Sequence, residues 1–159
     1  MKLRGNNAEA NRLVTKAVEI LHNAESGMTY FGPCAYGALS RTTEHREDCR
    51  SALMEAEAIL AKGVVGHNYL IFFEDAIEAC LQWADWDDVE RYADALQDYT
   101  REEPLPRSDY YIARGRALAR HGRGEDTPDL KAELTRLSDE AIRIHLPNAG
   151  SALENALAR

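Results

Sequence analysis

The chain has 159 residues, 45% of them apolar, which is one domain's worth of sequence and too apolar for wholesale disorder. Its formal net charge of −8 argues against nucleic acid or an anionic membrane surface as partner. Three widely spaced cysteines, Cys34, Cys49 and Cys80, with no Cys-x-x-Cys, point to reduced thiols in a cytoplasmic protein rather than a disulfide frame. No apolar run follows Met1-Lys2-Leu3-Arg4, so no signal peptide is expected, and no apolar stretch approaches the length of a membrane span.

Apolar residues recur at helical spacing throughout, and Val64-Val65 is too short for a strand. Asn6 with Glu9 is a capping-box signal for a first helix, with Leu13, Ala17, Ile20 and Leu21 on its inner face and Gly27 near its end. A weaker helix follows over 29–41, interrupted in pattern by Gly32, Pro33 and Gly37. Thr42 or Thr43 is placed to cap a strong helix to Lys62, striped by Leu53, Ala56, Ile59 and Leu60 and stopped by Gly63.

The helix over 66–84 carries two apolar rows when wound at 100° per residue. One is Leu70, Phe73, Ile77, Leu81 and Ala84; the other is Tyr69, Phe72, Ala76, Cys80 and Trp83. Water is left the strip His67, Ile71, Glu74, Asp75, Glu78 and Gln82. A surface helix shows one stripe, so this one is expected to lie between neighbours. Asp85 and Asp87 make the next turn, and Asp87 with Glu90 forms a second capping-box signal. Val89, Tyr92, Ala93, Leu96 and Tyr99 then face inward until Pro104-Leu105-Pro106 stops the helix.

Ser108 restarts a helix that runs to His121 and is broken by Gly122-Arg123-Gly124. Thr127-Pro128 is a cap-then-proline start for a helix striped by Leu130, Leu134, Leu137, Ala141 and Ile144. Pro147 ends it, and Asn148 or Ser151 opens a short tail with Leu153 and Leu157. Acidic residues crowd 74–103 and arginines follow at 107, 114, 116, 120 and 123, a pattern that predicts neighbouring helices neutralising each other.

The sum is an all-α single domain over 1–159. It is a tetratricopeptide-like α-α superhelix of about eight antiparallel helices, with helix-turn-helix units at 66–101 and 108–145. Gly66-His67-Asn68, Phe73, Ala76, Trp86, Tyr92-Ala93-Asp94-Ala95-Leu96, Glu103-Pro104-Leu105-Pro106, Asp109 and Gly115-Arg116-Ala117-Leu118 together carry a resemblance. Over most of 30–145 the chain resembles the C-terminal helical-repeat region of large bacterial adenylate cyclase-like signalling proteins. No cyclase domain and no P-loop is present here, so the resemblance implies a sensor or interaction module and neither of those activities.

Chemistry finds little purchase. Glu19 and His22 make a single Glu-x-x-His, whereas a di-iron bundle needs the motif twice. His45 and Cys49 are two ligands where zinc takes four. Gly122-Arg123-Gly124 precedes a helix but is followed by Glu125 and Asp126, and reads as a turn rather than a phosphate cradle. Cys80 and Trp83 read as core, and Arg114 as a partly buried arginine in a structural ion pair rather than a ligand clamp.

The expectation is therefore a non-catalytic scaffold without cofactor or metal. Its exposed helix strips line a groove for a protein or peptide: His67, Ile71, Glu74 and Glu78 on one helix, Ile112, Arg116 and Arg120 on another. Ile71, alone in a polar strip, is the expected anchor. The alternatives are a small-molecule sensor with a pocket between helices 66–84 and 108–121, around Tyr69, Tyr110 and Arg114, and an array whose role is to form a homodimer.

Overall fold

The computed structural model describes residues 7–24 and 26–158, with backbone alone for 147–151. The described residues are all-α, with no strand, in the order α1 (Asn7–Asn23), α2 (Gly27–Thr42), α3 (Arg46–Leu60), α4 (His67–Gln82), α5 (Trp86–Tyr99), α6 (Pro106–Gly122), α7 (Pro128–Arg143) and α8 (Pro147–Leu157). None of these helices is long and apolar enough to cross a membrane. The chain divides into two compact units, Met1–Trp83 and Ala84–Arg159.

In the first unit the central helix is α2, which packs against α1, α3 and α4. It buries its small residues, Gly32, Pro33, Gly37 and Ser40, together with Tyr36, and leaves Tyr30 and Phe31 outside. The glycines are places of close approach. A Cβ on Gly37 would stand 3.1 Å from the Asp75 Cβ of α4, and one on Gly32 would stand 3.0 Å from Ile59 Cδ1 of α3. Residues that weaken a helix in isolation here let its neighbours come near.

Asn68, fully buried at the start of α4, ties this arrangement together. Its amide donates to the Tyr30 carbonyl at 2.9 Å and the Val65 carbonyl at 3.3 Å, and its oxygen accepts from the Cys34 thiol at 3.0 Å. Farther along, Arg41 donates to Asp75 at 2.7 Å. The pairs Cys34–Asn68 and Arg41–Asp75 share one sequence offset, |i−j| of 34, so α2 and α4 run parallel in a fixed register.

Burial of α4 follows the two-row expectation in its inner part. Phe72, Ala76, Ile77 and Cys80 are buried, as is Ala79 from neither row, and Tyr69, Leu70, Phe73, Leu81 and Trp83 are half-buried, while Ala84, past the end of the helix, is exposed. For α1 the expected inner face holds only at Leu21. Leu13, Ala17 and Ile20 face solvent, while Val18 is buried and Val14 and Leu21 are half-buried. Two apolar rows lie about 100° apart on this helix, and contact with α2 selects Val14–Val18–Leu21. The expected cap Asn6 lies outside the described residues; Glu9 pairs with Arg12 at 2.6 Å. Thr43 does not cap α3 either: it ends α2, its hydroxyl donating to the Ser40 carbonyl at 3.3 Å.

In the second unit α6 is central, packing against α5, α7 and α8. It buries residues around most of its circumference, among them Tyr110, Tyr111, Ile112, Arg114, Gly115, Leu118 and Ala119. The packed pairs are α5 with α6 and α7 with α8, a pairing shifted by one helix from the units expected at 66–101 and 108–145. Gly122 lies against the Trp86 indole, where a Cβ would come within 2.4 Å of the ring.

Leu130, Leu134, Leu137 and Ala141 form the expected buried stripe of α7, and the Thr127 hydroxyl accepts from Leu130 N–H at 3.2 Å as its cap. Two prolines read as terminators are openers instead. Pro106 and Pro147 each start a helix, a position where the missing N–H has no partner to lose. Tyr99, expected inside, is exposed. Asp87 and Glu90 form no capping box: α5 starts at Trp86 with Asp85 at its N-cap, which puts Asp87 inside the first turn, and both carboxylates pair with Arg123. Ala84 (φ 56) and His145 (φ 56) occupy the left-handed region after α4 and α7. At the second, Leu146 N–H donates to the Ala141 carbonyl at 2.8 Å, the closing bond of a Schellman turn.

Candidate partner-binding surface

The residues of the expected groove fall in both units, four of them on α4 in the first and three on α6 in the second. In the first unit, His67 opens α4 and is exposed, Ile71 is 43% exposed, Gln82 is exposed and Glu78 is half-buried. Glu74 corrects the strip. It is only 7% exposed, because it projects from the side of α4 toward Leu70 and Leu81 rather than toward Ile71.

Sequence reasoning missed the contribution of α2. Tyr30 and Phe31 stand outside, Phe31 at 57% exposure, and the Asn68 bond to the Tyr30 carbonyl sets them beside the first turn of α4. Ile71 follows Asn68 by one turn on α4. The available signal was the glycine, proline and serine on one side of α2. When the small residues mark the contact side, the aromatics are left outward.

In the second unit Ile112 is 5% exposed, so it belongs to the core and not to a wet strip. Arg116 and Arg120 are half-buried and already engaged. Arg116 donates to Asp94 at 2.6 Å and Gln97 at 2.7 Å, joining α6 to α5. Arg120 donates to Glu125 at 2.6 Å and to Glu133 at 2.8 Å. Arg123 closes the other end of the α5–α6 pair on Asp87 at 2.7 Å and Glu90 at 2.9 Å. These are the neutralising helix pairs that the alternating charge blocks predict.

The electrostatics follow from the pairs. Bonding to Glu125 first, and to Glu133 after it, holds Arg120 further into its charged form. The same guanidinium pulls the Glu125 carboxyl below the usual carboxylate range. Asp87, then Glu90, raise Arg123 in the same way.

Thiol chemistry is quiet. Burial, and then the Asp75 carboxylate, push Cys34 up to about 11, so at neutral pH it is the protonated donor that Asn68 requires. Cys49 is raised by burial, against the lowering pull of Arg50, the Trp83 N–H and Arg46. The Trp83 N–H is buried with no acceptor at hydrogen-bond distance, which makes the Cys49 sulfur a neighbour that biases rather than a bonded partner.

His22 stands 3.0 Å from the Tyr36 hydroxyl, joining α1 to α2. Among the described residues no three His, Cys, Asp or Glu side chains are grouped to hold a metal ion. Of the expected sensor pocket, Tyr69 donates its hydroxyl to the Leu60 carbonyl at 3.0 Å in the first unit. Tyr110 and Arg114 are buried in the second. No family model, curated protein or solved structure matches the chain.

Proposed function

We infer that the chain is a non-catalytic, tetratricopeptide-like scaffold in the cytoplasm that binds a protein or peptide partner, in keeping with its resemblance to the repeat region of bacterial cyclase-like signalling proteins. The observation that carries this reading is the parallel register of α2 on α4 at a separation of 34 residues. That is the length of one tetratricopeptide repeat, and the first helices of successive repeats stack side by side in this way. Their outward strips then form one continuous wall of a groove.

Within the first unit that wall is Tyr30 and Phe31 on α2 with His67, Ile71 and Gln82 on α4. Two aromatics and an isoleucine in a polar setting suit the apolar anchors of a helix or an extended peptide. Arg116 and Arg120 of the second unit offer half-exposed guanidinium groups but are held by their own acids, so they come second to the apolar wall.

The test is quantitative pull-down of partners on immobilised wild-type chain against Phe31→Glu/Ile71→Glu and, separately, Ile71→Glu/Arg116→Glu. Loss of the same partners with both variants is expected, with the larger loss for the first. Equal recovery of every partner on all three proteins would remove the groove.

A further inference from the structure

We draw no further inference here: the strongest candidate, the exposed apolar surface patch of Tyr30, Phe31, Val65 and Ile71 around the buried Asn68 amide in the first unit, belongs to the partner-binding wall already described, and nothing in the structure shows what covers it.

Discussion

α2 and α6 hold the same post in their respective units, each packed against three other helices, and they reach it by opposite means. α2 buries glycine, proline and serine, turns two aromatics outward, and brings its neighbours close through missing side chains. α6 buries Tyr110, Tyr111, Ile112 and Leu118, and secures its edges with Arg116, Arg120 and Arg123 on the acids of α5, α7 and the turn between α6 and α7. A central helix is therefore recognised by what fills its contact side, not by how apolar it is. The first unit depends on close approach and one buried amide, the second on side-chain bulk and a set of half-exposed ion pairs.

The largest expected effect falls on the buried amide. Asn68→Ala removes the two bonds that join α2 to α4, the donation to Tyr30 and the acceptance from Cys34, together with the local bond to Val65. The unfolding free energy of the first unit should drop by about 2–4 kcal/mol, read from chemical denaturation followed by hydrogen exchange. Next is a glycine contact in the second unit. Gly122→Ala drives a methyl into Trp86, with an expected cost of about 1–3 kcal/mol, and Trp86→Leu in the same chain should return part of it. If the double variant is as unstable as the sum of the two singles, the Trp86 contact is not the cause.

Gly37→Ala probes the same logic in the first unit, where the new Cβ meets Asp75 at 3.1 Å and the expected cost is about 1 kcal/mol. In the opposite direction, Ala84→Gly relieves a left-handed alanine and should raise the thermal midpoint, by about 0.5–1 kcal/mol of stability. The smallest effect is electrostatic. Glu125 is lowered by Arg120, so the stability it lends is whole above its unfolded value near 4.5 and is lost as pH falls through the lower folded value. Glu125→Gln should flatten the acid limb of the second unit's stability profile and leave that of the first unit unchanged.

The legibility of the fold divides along the same line. Helix existence, the α7 leucine stripe and its Thr127 cap follow directly from spacing, because large aliphatic residues at helical intervals have one side to hide. α1 and α2 mislead for the converse reason. α1 offers two equivalent apolar rows and only tertiary contact chooses between them, while α2 hides its smallest residues.

Glu74 and Ile112 fail as site residues because a helix with neighbours on several sides buries positions that periodicity assigns to water. His67 and Ile71 are exposed where periodicity puts them. Pro106 and Pro147 illustrate a third limit. Proline marks a helix boundary in sequence without saying on which side the helix lies.

The account rests on α2, the least helical-looking stretch before Pro104, being the best-protected helix of its unit. Native-state hydrogen exchange resolved by residue measures this directly. The slowest amides of the first unit are expected in α2 between Tyr36 and Ser40, matched by those of α4 around Ala76 and Ile77 and exceeding those of α1. Exchange of α2 at the rate of a fraying end, ahead of α1 and α3, would contradict its central place and the α2–α4 wall drawn from it.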